Sequence, residues 1–284
     1  MSFAAHAAER GHRVTLFEAA PELGGQLNLA KRVPGKEEFF ETLRYFGVRL
    51  AQAGVELRLG AKATAADLAG FDEVVLASGV VPRSPELPGL EHPKVISYPD
   101  LLSGRKAAGR RVAIIGAGGI GFDVAEYLVQ DGQGPDLATF LREWGVDAAH
   151  AHRGGLLPKP EGIHARREVI LCQRKADRMG ASLGKTTGWI HRAALKAAKV
   201  KMLSGVRYER VDDQGLWIRE GEAAPRCLEV DSVVLCAGQL SNRDLLAELQ
   251  ASGRPVHLIG GAALAAELDA QRAIREGAEL AARI

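Results

Sequence analysis

Glycines at fixed spacing mark the most chemically suggestive stretch of the chain. They follow an apolar run rich in β-branched residues, Val112 to Ile115, and they precede a helical pattern of apolar residues. A strand, turn and helix of this kind can bind the pyrophosphate of a dinucleotide at the helix N-terminus. The predicted cofactor-binding residues of the turn are Gly116, Gly118, Gly119, Ile120 and Gly121. A glycine turn without a ligand is the alternative, and the flanking elements favour the nucleotide site.

The residues after the next strand are expected to select the nucleotide. A carboxylate at this place binds a ribose hydroxyl, whereas Arg or Lys accepts a 2′-phosphate. The strand Val169 to Cys172 ends in Gln173, Arg174 and Lys175, with no acid among them. This pattern favours NADP(H) over NAD(H), the alternative being that the two cations are solvated loop charges. The interval from the glycines is longer than usual because residues 131–167 form an insertion.

The histidines and cysteines do not predict a metal or thiol centre. His150, His152 and His164 lie in a Gly- and Pro-rich stretch without a Cys or carboxylate at ligand spacing. The cysteines, Cys172, Cys227 and Cys236, are odd in number and contain no Cys-x-x-Cys pair, which argues against a disulfide framework. We therefore expect no metal, buried structural thiols, and no catalytic side chain that can be assigned.

Length and composition predict a soluble α/β protein of about two domains. The chain has 284 residues, 46% hydrophobic content and a formal net charge of +2, with basic and acidic residues spread along it. Neither nucleic acid nor a membrane is implied as a partner, because no basic cluster and no apolar run of about eighteen residues occurs. A cytoplasmic location is expected.

The first residues look like the second half of a nucleotide-binding unit. Ser2 to Arg10 is typical of a helix, and Arg13 to Phe17 of a strand that ends in the acidic Glu18. The strand and glycine turn that usually come before such a helix would lie upstream of Met1. Farther along, the four prolines of Pro85 to Pro99 predict a linker between lobes.

The second half of the chain repeats a feature of the first. The predicted strand Asp231 to Cys236 runs into Ala237-Gly238-Gln239, much as the predicted strand Glu73 to Ala77 runs into Ser78-Gly79. Two such copies suggest two related nucleotide-binding lobes, with Gly238 as a further candidate cofactor residue. Tyr208 to Arg219 and Cys227 to Val230 predict a small antiparallel layer. A strand over Pro255 to Ile259, a glycine pair and a helix close the chain.

Six motifs together resemble the C-terminal part of the bacterial NADPH-dependent 2,4-dienoyl-CoA reductases. The similarity covers nearly the whole chain, and several of the motifs are specific to that family. They are Glu18-Ala-Ala-Pro-Glu-Leu-Gly-Gly-Gln26, Pro34-Gly-Lys-Glu-Glu38, Gly116-Ala-Gly-Gly-Ile-Gly121, Gln173-Arg-Lys175, Leu183-Gly-Lys-Thr-Thr-Gly-Trp-Ile-His-Arg192 and Val256-His-Leu-Ile-Gly-Gly261.

The resemblance implies a larger enzyme in which NADPH reduces FAD. Electrons would then pass through an iron-sulfur cluster to FMN, which reduces a dienoyl-CoA bound in a TIM barrel. The barrel, its cluster cysteines and the first FAD glycines would all precede Met1. Two functions stay open: an NADPH-to-flavin module of such an enzyme, or a non-catalytic NADPH-binding remnant or partner-dependent subunit.

The late glycine pair, Gly260-Gly261, and the closing helix complete no nucleotide-binding unit of their own. We therefore expect two Rossmann-like lobes, with an NADP lobe (residues 108–245) inserted into an FAD lobe (1–107 and 246–284) that lacks its first strand. The resemblance implies a set of FAD contacts in this second lobe. In this arrangement Ala262 replaces an Asp that many related flavoproteins carry after the second glycine. The implied FAD-binding residues are Glu18, Gln26, Lys36, Ala63, Gly261, Asp269 and Ala270.

Overall fold

A computed structural model describes residues 1–181, 183–266 and 268–284. Helices and strands are mixed along the chain, with runs of consecutive strands between residues 56 and 97 and between residues 201 and 241. The helices are α1 (Ser2–Glu9), α2 (Leu27–Ala30), α3 (Phe39–Gln52), α4 (Tyr98–Leu102), α5 (Gly119–Gln130), α6 (Leu137–Trp144), α7 (Gly188–Ala197), α8 (Leu246–Ala251) and α9 (Ala270–Ala281).

The strands are short, as the sequence patterns predict. They are β1 (Thr15–Glu18), β2 (Glu56–Leu59), β3 (Val74–Leu76), β4 (Val80–Pro82), β5 (Val95–Ser97), β6 (Arg111–Ile115), β7 (Glu168–Cys172), β8 (Lys201–Leu203), β9 (Val206–Asp212), β10 (Gly215–Glu220), β11 (Arg226–Glu229), β12 (Ser232–Leu235), β13 (Gln239–Ser241) and β14 (Val256–Leu258).

The contacts divide the chain into two units. Unit 1 consists of Met1–Asn28, Glu38–Arg83 and Gln239–Ile284, and unit 2 of Leu29–Glu37 and Ser84–Gly238. Unit 2 is thus placed, in sequence, between segments of unit 1. The sequence-based bounds place residues 29–37 and 84–107 in the first lobe and residues 239–245 in the NADP lobe. The contacts group the first two ranges with unit 2 and the third with unit 1.

Unit 2 contains a five-stranded sheet in the order β5-β12-β6-β7-β8, and all of its neighbouring strands are parallel. The central strand β6 is almost fully buried beyond its first residue. This burial explains the run of apolar residues in its sequence, because parallel strands are covered on both faces. The strand and helix predicted on either side of the glycine turn are confirmed as β6 and α5.

A small antiparallel sheet covers part of unit 2. Its order is β11-β10-β9, and both pairings are antiparallel, which confirms the layer predicted from Tyr208 to Arg219 and Cys227 to Val230. Leu216 and Ile218 of β10 are fully buried and share a core with Val233 of the parallel sheet. The antiparallel sheet therefore packs against one face of the parallel sheet, and the glycine turn follows a strand of that parallel sheet.

The predicted linker over Pro85 to Pro99 is wrong in its second half. Val95 and Ile96 are buried in β5, which pairs with β12 at the edge of the parallel sheet. Three of the prolines lie before this strand and the fourth lies in α4, so none interrupts the strand's hydrogen bonds. Proline content indicated a loop, but burial of the two apolar residues produces a strand.

The described residues of unit 1 form three separate two-stranded sheets. β1 pairs with β2 and β14 with β3, both in parallel, whereas β13 pairs with β4 in the antiparallel direction. Helices from the two ends of the chain pack together: the Ser2 hydroxyl donates to the carbonyl of Ile274, at 2.8 Å. Gly277 allows this approach, since a Cβ there would lie 2.8 Å from the backbone nitrogen of Phe3.

Among the described residues, none of the helices combines the length and the apolar composition needed to cross a membrane.

Candidate functional site

The glycine turn lies where the carboxyl ends of three parallel strands meet. Gly116 follows β6, and its amide donates to the carbonyl of Cys172 at the end of β7, at 2.9 Å. On the other side, a Cβ at Gly116 would lie 2.2 Å from the carbonyl oxygen of Cys236, just after β12. The backbone φ of Gly116 is +108°, which also disfavours a side chain. Open α/β sheets bind ligands at such a point, where the chain leaves the central strand toward both sides.

The first turn of α5 offers free backbone amides. Gly118 is the N-cap and provides no side-chain cap, and nothing would contact a Cβ at Gly118 or Gly119. Gly121 is needed for packing, because a Cβ there would lie 2.0 Å from the carbonyl oxygen of Gly116. Ile120 packs partly buried against the core. This open, uncapped helix start fits a dinucleotide pyrophosphate.

Tyr208 lies on the antiparallel sheet and supports the glycine turn through a hydrogen bond. Its sequence context did not indicate this role. Its hydroxyl donates to the Cys172 carbonyl at 3.0 Å, the same carbonyl that accepts the Gly116 amide. Burial raises the pKa of Tyr208 well above its usual range, so the hydroxyl keeps its proton. Burial also raises the pKa of the Cys172 thiol to about 12, which makes this cysteine a structural thiol at neutral pH.

The predicted nucleotide-selecting residues follow β7 directly. Gln173 braces the loop, because its side-chain amide donates to the carbonyls of Lys175 and Asp177, at 3.0 and 2.6 Å. Arg174 and Lys175 are exposed, and within the described part of the chain neither side chain has a carboxylate partner. Two uncompensated cations are therefore available at the strand end where a 2′-phosphate binds in NADP sites.

A charged cluster extends from α5 behind the turn. Lys36 Nζ lies 2.6 Å from both carboxylate oxygens of Asp123. One helical turn farther, Glu126 Oε1 lies 2.7 Å from Nδ1 of His191 on α7. Burial raises the pKa of Glu126, while the hydrogen bond from His191 partly opposes that shift. The predicted role of Lys36 near a flavin stays a prediction.

The remaining candidates of unit 1 are spread over several elements. Glu18 ends β1, and its carboxylate accepts the amide of Ala20 at 2.8 Å. Gln26 lies exposed in the turn before α2, and Ala63 is partly buried against the core below β3. The implied contacts of these residues with FAD remain predictions.

Two further candidates lie close to glycines. Gly261 is tightly enclosed, since a Cβ there would lie 2.7 Å from Val80 Cγ1. Asp269 is the N-cap of α9, its carboxylate accepts the amide of Arg272 at 2.7 Å, and Ala270 begins the helix. Because the side chain of Asp269 already accepts an amide of the first helical turn, the start of α9 has fewer free amides for a ligand than an uncapped helix start would have. Gly238, at the end of unit 2, has φ +104°.

One histidine of the insertion, His152, has a structural role. The buried carboxylate of Asp147 accepts from Nδ1 and the amide of His152, at 2.9 and 2.7 Å. These bonds lower the pKa of Asp147 and close a loop between α6 and β7. In the described ranges, no group of three or more His, Cys, Asp or Glu side chains is placed to hold a metal ion.

Comparison with known proteins identifies the fold. Residues 1–258 match the family model described as pyridine nucleotide-disulphide oxidoreductase. A metal reductase of Desulforamulus reducens is 29% identical over 270 residues, which are 92% of this chain and 39% of that protein. A cinnamate reductase of Clostridium sporogenes is also 29% identical over 270 residues, 92% of this chain and 34% of that protein.

Solved structures show the same architecture. A 2-naphthoyl-CoA reductase in complex with 2-naphthoyl-CoA aligns with a TM-score of 0.82 and 23% identity, covering 100% of this chain and 38% of that chain. The chain therefore spans less than half the length of these relatives. The predicted α/β fold with Rossmann-like dinucleotide-binding sheets is confirmed, and this domain type implies binding of FAD and NAD(P). The chain belongs to the pyridine nucleotide-disulphide oxidoreductase family.

Proposed function

We propose that the chain is the NADPH-to-FAD oxidoreductase module of an enzyme of the 2,4-dienoyl-CoA reductase type. The observation that carries the NADPH part is the cationic end of β7, where Arg174 and Lys175 lie exposed beside an uncapped glycine turn. The acyl-CoA part rests on the six sequence motifs. When bound, NADPH supplies a hydride and FAD accepts it.

The residues of the chain would bind and orient the nucleotide. The amides of Gly118, Gly119 and Ile120 would hold the pyrophosphate at the start of α5. Arg174 and Lys175 would hold the 2′-phosphate by charge-assisted hydrogen bonds. Tyr208 would keep the turn in place through the Cys172 carbonyl. Glu18, Gln26, Lys36, Ala63, Gly238, Gly261, Asp269 and Ala270 complete the proposed cofactor set.

The proposal includes a partner that is outside this chain. An iron-sulfur cluster and FMN in a TIM-barrel domain or chain would carry electrons on to an unsaturated fatty acyl-CoA. The relatives are long enough to contain such a domain, since this chain matches only 34–39% of their length. The names of two of them, a cinnamate reductase and a naphthoyl-CoA reductase, support reduction of a conjugated substrate. The proposed location is the cytoplasm.

A non-catalytic NADPH-binding subunit is the second candidate. Unit 1 holds β1–β2 and β14–β3 as separate parallel pairs, and among the described residues no strand joins them. Under this second proposal such a unit would supply only part of a flavin site, and the role of the chain would depend on a partner.

Nucleotide titration tests the choice of NADPH. We expect wild-type protein to bind NADPH well above NADH, and Arg174→Ala to lose about ten- to a hundredfold in NADPH affinity, the typical cost of a charge-assisted contact. NADH affinity should stay the same in the variant. Arg153→Ala, an exposed arginine of the insertion, is the control and should bind both nucleotides as wild type does. Equal affinities of wild-type protein for the two nucleotides would refute the assignment.

Flavin content separates the two candidate functions. The purified chain, supplied with FAD, would be assayed for bound flavin and for NADPH-dependent reduction of ferricyanide. Turnover with stoichiometric flavin supports the oxidoreductase module, whereas NADPH binding without flavin or turnover supports the non-catalytic subunit.

A further inference from the structure

The segment before α7 is packed against the first turn of α5. Gly180 adopts φ +74° and touches the ring of Phe122, since a Cβ at Gly180 would lie 2.9 Å from the ring. Met179 is buried in the same cluster as Phe122, and Leu183 packs against that cluster. The guanidinium of Arg192, on α7, donates to the carbonyl of Gly180 at 3.0 Å. These contacts keep the segment beside the helix end that presents the glycine turn.

A buried hydrogen bond ties α7 itself to α5. Glu126 is only 7% exposed, and its carboxylate lies 2.7 Å from Nδ1 of His191. Burying a carboxylate is costly unless a partner compensates it. His191 is the hydrogen-bonding partner, so α7 is held where its imidazole meets that carboxylate. The dinucleotide chemistry described above makes no use of this pair.

The loop carried by these contacts presents a cation. Gly184 and Gly188 close a tight turn, in which the Gly188 amide donates to the Gly184 carbonyl at 2.7 Å. Lys185, Thr186 and Thr187 are exposed on it. In the ranges that the structure describes, the Lys185 ammonium has no carboxylate partner. The loop therefore offers an uncompensated positive charge and two hydroxyls next to α5.

We propose that Glu126 and His191 are a positioning pair that holds the Gly184–Gly188 loop so that Lys185 binds the pyrophosphate of the dinucleotide. This inference rests on the proposed nucleotide-binding function and adds a second side to that site. Lys185 touches the ligand, whereas Glu126 and His191 act through the position of α7.

The placement of the loop favours the pyrophosphate over the 2′-phosphate. The segment leading into it packs on Phe122, the residue directly after Gly121, and the pyrophosphate binds at this first turn of α5. The 2′-phosphate is instead assigned to Arg174 and Lys175, directly after β7. Because NADPH and NADH share the pyrophosphate, Lys185 should affect both nucleotides alike.

Nucleotide titration with loop and anchor variants tests the pair. Lys185→Ala should raise the dissociation constants of NADPH and NADH by the same factor, about tenfold. His191→Ala should weaken both in the same way but by less. If the anchor acts through the lysine, the double variant should bind no more weakly than Lys185→Ala alone. Glu126→Gln, which keeps an oxygen acceptor for His191, should lose less affinity than Glu126→Ala.

His152→Ala is the matched control, because it removes the same kind of imidazole-carboxylate bond from unit 2 at a site in the insertion. It should leave both dissociation constants unchanged. Unchanged nucleotide affinity in Lys185→Ala, an exposed substitution that does not threaten folding, would overturn the proposal. Additive losses in the double variant would overturn the anchoring role. Arg174→Ala should weaken the binding of NADPH and leave that of NADH unchanged. This variant therefore tests the proposed NADPH site separately from the role of Lys185.

Discussion

A methyl group has no room at two of the glycines in the turn. Gly116→Ala would place a Cβ 2.2 Å from the Cys236 carbonyl, and Gly121→Ala would place one 2.0 Å from the Gly116 carbonyl. We expect each change to lower the free energy of unfolding by about 2 kcal/mol or more and to abolish nucleotide binding. Urea denaturation and NADPH titration measure these effects. Gly119→Ala, where a Cβ meets nothing within 4 Å, is the control for stability alone, and an equal loss of unfolding free energy in it would contradict the packing argument.

Glu126 should make the stability depend on pH. Burial raises the pKa of its carboxyl in the folded state. The unfolded chain has an ordinary glutamate pKa of about 4.3, so below that pH the carboxyl is protonated in both states and the native state is favoured most. This contribution to stability is lost as the pH rises from about 4.3 through the higher pKa of the folded state. Glu126→Gln cannot ionise, so we expect the variant to gain stability relative to wild type as the pH rises above about 4.3. Urea denaturation at several pH values checks this expectation.

Glu279→Gln serves as the comparison for that experiment, since Glu279 is an exposed glutamate of α9. Its stability curve should run parallel to that of wild type. A Glu126→Gln curve that is also parallel would show that the buried carboxylate is fully compensated by His191 at every pH.

The positions of some candidate residues could be predicted from the sequence and those of others could not. The glycines lie within a local strand-turn-helix pattern, and the cations directly follow the apolar run that forms β7, so both are placed at strand ends by local sequence. Glu126 and His191 are 65 residues apart, and only the packing of α7 on α5 brings them together. Tyr208 was likewise missed, because its hydroxyl reaches the turn from a different sheet.

The packing of α1 on α9 requires a glycine at position 277. A Cβ at Gly277 would lie 2.8 Å from the Phe3 nitrogen, which is backbone and cannot rotate away. We expect Gly277→Ala to cost about 1–3 kcal/mol of stability and to speed hydrogen exchange in α1 and α9. Gly47→Ala, in the middle of α3 with nothing near its Cβ, should be neutral or stabilising by about 0.5–1 kcal/mol. Equal losses from the two variants would contradict this account.

Whether a segment forms a helix or a strand was easier to predict than which sheet a strand joins. The strands around the glycine turn and the antiparallel layer follow from their apolar patterns. β5 was missed because it is only three residues long and lies in a proline-rich stretch, so that its pairing with β12 decides its structure. A tertiary contact of this kind leaves little local signal.

The two units should differ in local stability. Unit 2 is built on a five-stranded parallel sheet, whereas the sheets of unit 1 have two strands each. Two-stranded sheets are marginally stable without further support. We expect hydrogen exchange to be fast in residues 1–80 and slow around residues 112–124 in the isolated chain. Mass spectrometry of exchanged peptides measures the difference, and uniform protection across both units would contradict it.

The discontinuity of unit 1 has a consequence for synthesis. On the ribosome, all of unit 2 is made before residues 239–284, which supply β14 and α9. At roughly 5–20 residues per second, the emerging nascent chain therefore leaves β3 and α1 without their partners for several seconds after the last residue of unit 2 is added. Unit 2 can form during translation, while unit 1 must wait until residues 239–284 have been made. The exposed apolar faces of its early segments are where we expect a chaperone to bind during that interval.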